Sequence, residues 1–133
     1  MKYKCCILKA DELTSTGRKY PKSVIDEMYN DMVNRLKDEK IFVVDSDDEI
    51  QSVDFKASIM NACGDLYDVK YIDGEIWVYV NIINSIKPGR QYITSFGIGS
   101  VDNNNVVLDC KLQHLLLVDE VSYTNFSKME RID

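Results

Sequence analysis

Between Tyr67 and Ile83 the chain reads YDVKYIDGEIWVYVNII, two apolar-rich runs hinged on Asp73-Gly74. An Asp-Gly pair flanked by alternating side chains is the strongest short hairpin signal, because both turn positions need positive φ and these two residues tolerate it. Tyr67, Val69 and Tyr71 lead into the turn, and Glu75 to Ile83 returns from it. The return run is apolar enough to predict a strand covered on both faces. A chain carrying this hairpin must build a sheet around it.

The flanking segments extend that sheet. Residues 2–9, KYKCCILK, read as a first strand, and IFVVD at 41–45 as a short one. Val53, Phe55, Ala57 and Ile59 alternate with Asp54, Lys56 and Ser58, which predicts another. Lys87-Pro88-Gly89 breaks the chain before two further strands at 91–99 and 106–118. These are joined by Asp102-Asn103-Asn104-Asn105, where asparagine tolerates the left-handed turn. One segment has the other period. Apolar residues at 24, 25, 28, 29, 32, 33 and 36, after Pro21, predict a long helix over about 22–38. The fold class read from these patterns is α+β: one long N-terminal helix and a mostly antiparallel sheet or small barrel.

With 133 residues the chain suits one core. Residues 1–120 form the expected domain. Residues 121–133 read as a polar tail, ordered by a partner, with Tyr123, Phe126 and Met129 as docking candidates. Sixteen Lys plus Arg against 22 Asp plus Glu leave a net charge of −6. That balance opposes an extended phosphate-binding surface, so no nucleic-acid partner is expected. The apolar runs at 76–80 and 115–118 fall far short of the roughly 20 residues of a membrane span. The opening MKYKCCILKADE is too quickly charged for a secretory signal. A soluble protein that works inside a cell is expected.

The chemistry-bearing residues are few. Cys5, Cys6, Cys63 and Cys110 lack the paired spacing of a zinc site, and His114 is the single histidine. No metal or cofactor is expected, and the thiols read as small buried hydrophobes. The acidic run Asp45 to Glu49 has Ile50 where a calcium loop needs glycine, so it reads as a solvated turn. Trp77 reads as core and the tyrosines at 67, 71 and 79 as lining sheet faces. Arg18 would pair with an acidic strand residue. In YITSFGIGSV, Ser95 is either a nucleophile or a small strand residue, and Gly97 and Gly99 suit a bulge or a close backbone approach. A serine nucleophile needs a base within hydrogen-bond reach, and His114 is the candidate.

The order of these segments resembles the prohead maturation proteases of tailed phages, whose fold is shared with the herpesvirus assemblins. Thr16-Gly17-Arg18-Lys19-Tyr20-Pro21 is similar to the family's "NGRxYP" segment before its helix. YIDGEIWVYVNII is similar to its hairpin, with Ser85 to Gly89 in place of a "TxxG" segment. Thr94-Ser95-Phe96-Gly97-Ile98-Gly99 occupies the slot of "SSRGxG", and Val107 to Val118 resembles the closing strand. The likeness runs over roughly residues 3 to 120. It implies a protease-like fold and places the family's catalytic histidine near Ser46 or Asp47, where this chain has none. Phe96 stands where the family has an arginine that helps hold the oxyanion, and phenylalanine supplies neither donor nor charge. The resemblance therefore points to a virion or capsid-assembly protein on a protease-like fold that has lost catalysis. Its partners would be capsid or other virion proteins, copies of itself within a particle included. It would reside in the virion and, during assembly, in the host cytoplasm. The alternatives are an active maturation protease using Ser95 with His114, and a small phage inhibitor that binds one host target.

Overall fold

The computed structural model describes residues 1–14, 16–48, 61–83, 85–119 and 127–133. Among these residues seven strands form one sheet: β1 (Lys2–Lys9), β2 (Phe42–Asp45), β3 (Gly64–Ile72), β4 (Glu75–Ile82), β5 (Tyr92–Val101), β6 (Val107–Val118) and β7 (Glu130–Arg131). Their order across the sheet is β5-β6-β2-β3-β4-β1-β7. All neighbours are antiparallel except β2 and β6, which run parallel with Val43 opposite Leu115. The sheet curls into a half-barrel, bringing Cys5 of β1 near Ile93 of β5, where Sγ donates to the carbonyl at 3.8 Å.

The α+β expectation with a long helix is corrected here. About half of the described residues lie in strands, so the protein is mostly β. Its helix α1 spans Lys22–Arg35, only 14 residues. The apolar stripe continues through Leu36, but the amides of Lys37 and Asp38 bond back only three residues, to Asn34 and Arg35. The tightened turn ends the helix because Ile41, six positions after Arg35, must already be in the core. Val24, Ile25, Met28 and Met32 face the sheet and share one core cluster with Ile7, Val43, Leu112 and Leu115. A smaller apolar cluster, Val44, Leu116 and Val118, lies on the opposite face of β2 and β6.

The Asp73-Gly74 hairpin forms as expected, with φ of 49° and 78° at the two turn residues. Among the described residues, strand β4 is covered on one face only. Ile76, Val78, Val80 and Ile82 are buried, while Glu75, Trp77, Tyr79 and Asn81 are partly exposed on the other side. Trp77 is therefore a surface-facing ring, its Nε1 donating to Glu75 at 3.0 Å. The alternating run at 53–59 lies outside the described residues, as do Tyr123 and Phe126.

Residues 127–133 pair with the chain's own first strand. Tyr3 and Lys4 stand opposite Arg131 and Glu130, and the Cys6 amide donates to Ser127 Oγ at 2.9 Å. The Met129 amide reaches the other way, to the Gln91 carbonyl at 2.8 Å, and Met129 packs against the core. The segment thus stitches β1 to the entry of β5.

Candidate functional site

Strands β5 and β6 carry the expected site residues, and their register decides what meets. Ser95 stands opposite Leu115, and Phe96 opposite His114. Successive side chains of a strand point to opposite faces. Ser95 therefore shares the face of Leu115, within the main core, and His114 shares the face of Phe96. The Phe96 and His114 rings stack at 4.8 Å with planes 20° apart, and His114 has no exposed surface. The sheet lies between the serine hydroxyl and the imidazole.

Past this point the ladder shifts. Gly97 pairs with Leu112, so Gln113 is the extra residue of a β-bulge. Arg35 of α1 reaches over and donates through Nη1 and Nη2 to the Leu112 and Gln113 carbonyls, which the bulge takes out of the ladder. The glycines follow from the same geometry. A Cβ on Gly97 would sit 2.5 Å from Cys110 Sγ, and one on Gly99 2.0 Å from the Asp109 carbonyl oxygen. Close backbone approach explains Gly99, whereas Gly97 is crowded first by the Cys110 side chain.

Segment 16–21 packs onto this hairpin. The Lys19 amide donates to Asn105, and the Val107 amide donates to Lys19. Arg18 and Tyr20 then face Gly97, Gly99 and Cys110 across a groove of about 300 Å3. Two stretches that are about 80 positions apart in sequence, and that carry much of the family resemblance, are thereby neighbours. Burial pushes the Tyr20 hydroxyl above its ordinary value, and Arg18 beside it pulls back a part. Burial, aided by Asp109, likewise raises the Cys110 thiol. Both stay protonated near neutrality. Asp109 is occupied by the Ser100 amide and hydroxyl at 3.0 and 3.2 Å. The groove is lined by one cation, one carboxylate already engaged by Ser100, and neutral donors, and Arg18 meets a phenol and a thiol rather than the acidic strand residue expected for it.

The acidic run after β2 is not a simple solvated turn. Asp45 is 4% exposed and held by Arg90, with Nε to Oδ2 at 3.1 Å and Nη2 to Oδ1 at 3.2 Å. Asp47, where the resemblance expects the histidine, accepts from Arg90 Nη2 at 2.7 Å and lies 3.7 Å from Lys87. Burial alone would raise the Asp45 carboxyl. The Arg90 bonds, the Asp47 amide and Lys87 outweigh it and hold the carboxyl below its ordinary value. Sequence reasoning missed Arg90 because no local pattern links positions 45 apart. The only signal was an acid ending an apolar strand. Among the described residues, no three His, Cys, Asp or Glu side chains converge as a metal site, and no helix is long and apolar enough to cross a membrane.

In fold the chain is similar to the capsid assembly protease gp21 of bacteriophage T4. The TM-score is 0.67 at 18% identity, over 86% of this chain and 80% of that one. No protein-family model matches the sequence, and no curated protein matches it significantly. The likeness is one of fold, and it agrees with the fold that the sequence resemblance implied.

Proposed function

We infer that this is a phage capsid-associated or capsid-assembly protein that uses a protease-like fold as a binding module, without proteolysis of its own. The observation that carries this reading is the separation of Ser95 and His114 onto opposite faces of β5 and β6. A serine hydroxyl without a base in reach is a weak nucleophile. Two further features support the reading. Asp47 is engaged by Arg90 where the family places its histidine, and Phe96 stacks on His114 in place of an oxyanion-holding arginine. Capsid or other virion proteins are the proposed partners, in the particle or in the host cytoplasm while it assembles.

The fold likeness to a protease favours a second reading, a maturation protease whose Ser95 is activated by some group other than His114. The two separate cleanly. A fluorophosphonate probe should leave the folded protein unlabelled, identically in wild type and Ser95→Ala. Labelling that vanishes in Ser95→Ala would make the protease reading the correct one. Mass spectrometry of purified particles tests the other half, and absence of the chain from both mature and immature particles would sink a capsid role.

A further inference from the structure

The face of β1, β3 and β4 opposite the main core carries a set of rings and ammonium groups. Tyr67, Trp77 and Tyr79 point outward from adjacent strands, Tyr67 being 43% exposed, and Tyr67 meets Tyr79 edge-on at 6.3 Å. Each ring lies under a lysine: Lys2 over Tyr67 at 5.2 Å, Lys4 over Trp77 at 5.9 Å, Lys70 over Tyr79 at 4.7 Å. Contact with a ring face holds a lysine head in place while leaving its N–H bonds for another partner.

The charges on this face are unlike those of the whole chain. Glu75 is paired with Lys9 at 3.4 Å, Glu130 with Lys4 at 3.7 Å, Asp65 with Lys40 at 3.3 Å, and Asp133 with Arg131 at 3.0 Å. Counting Lys2, Lys70 and Asp68 as well gives six cations against five carboxylates among the described residues of this face, +1 on a chain of −6. Ammonium groups on aromatic supports, with most neighbouring acids already matched, complement carboxylates on a partner. Trp and Tyr are also the side chains that anchor protein interfaces.

We propose that this face docks an acidic segment of a partner protein, whose carboxylates pair with Lys2 and Lys70 while its apolar side chains seat between the rings. Single-stranded nucleic acid is the lesser fit. Bases need open ring faces for stacking, and these are occupied by lysine heads.

The proposal stands apart from whether Ser95 is active. Its test uses fluorescein-labelled decaglutamate and fluorescein-labelled oligothymidine on the full chain at low salt. Trp77, the sole tryptophan, gives a second readout on the face itself. Decaglutamate should bind, shift the Trp77 emission and weaken with added salt. Lys2→Gln with Lys70→Gln should weaken it about tenfold or more, since each exposed pair is worth up to about fivefold. Lys22→Gln with Lys111→Gln, away from the face, should leave binding unchanged, and thermal melts should verify that both variants fold. No decaglutamate binding, equal weakening by both variants, or tighter binding of oligothymidine would each overturn the proposal.

Discussion

Arg90 grips Asp45 through a two-pronged bond that ties the last residue of β2 to the approach of β5, with 10% and 5% of the two side chains exposed. A charge pair this deep is costly to break from one side, because Asp45 keeps its desolvation and is left with only the Asp47 amide at 3.0 Å and Lys87 at 3.6 Å. Arg90→Ala should cost about 2–3 kcal/mol in urea unfolding, toward the low end for a buried pair because Lys87 remains beside Asp45. Changing both residues to apolar ones of similar size should cost less than Arg90→Ala alone. A double variant as unstable as the sum of the singles would contradict this account.

The same pair sets an acid limit. The Asp45 carboxyl is held below its ordinary value of about 4, so the unfolded chain takes up its proton first as pH falls. The contribution is complete above that value and disappears as pH drops through the lower, folded one. Between about pH 5 and pH 3, stability measured by denaturant should therefore fall more steeply for wild type than for Asp45→Asn. Parallel curves would place the acid sensitivity elsewhere.

Gly97 and Gly99 make a graded prediction. The atom against a new Cβ is a side-chain sulfur at Gly97 and a backbone oxygen at Gly99. Each alanine substitution should cost about 1–3 kcal/mol by overpacking, with Gly99→Ala the worse. Cys110→Ala should recover part of the loss in Gly97→Ala and none in Gly99→Ala. Equal rescue of both would mean that the bulge yields as a unit.

Residues 127–131 shield Cys5, which is fully buried and donates Sγ to the Ser127 carbonyl at 3.2 Å. Its neighbour Cys6 is pushed up to about 12, burial being the main cause and Glu75 the next. In a Cys63→Ala, Cys110→Ala background, a disulfide reagent at pH 8 should leave the intact protein almost unlabelled. Ending the chain at residue 126 should open Cys5 to rapid labelling, read by mass spectrometry. Ser127→Ala should show an intermediate rate, since it strands the Cys6 amide at a cost of about 1–3 kcal/mol.

Local features of the sequence were read best. The Asp73-Gly74 turn, the stripe from Val24 to Met32 and the asparagine-rich link before β6 each state their conformation within a few residues, and each formed. The helix was overextended because Leu36 continues the stripe, while only the tertiary demand on Ile41 ends it. Trp77 was misplaced as core because a run of apolar residues does not say which face a sheet leaves open. The placement of Ser95 and His114 on opposite faces depends on a cross-strand register, which no spacing in the sequence specifies. Arg90 with Asp45, and residues 127–133 with β1, are long-range pairings invisible to any pattern of period two or 3.6.

The pairing of β7 with β1 also bears on how the protein comes to be folded. Tyr3 and Arg131 are 128 positions apart, and the parallel pairing of Val43 with Leu115 spans 72. Loops of that length must close before their contacts return anything, which places this topology among slow folders. Until residue 131 arrives, the edge of β1 and the approach to β5 both stand open, and open strand edges recruit one another between molecules. Refolding yield should therefore fall as protein concentration rises, because chains that have not yet placed residues 130–131 meet one another edge to edge.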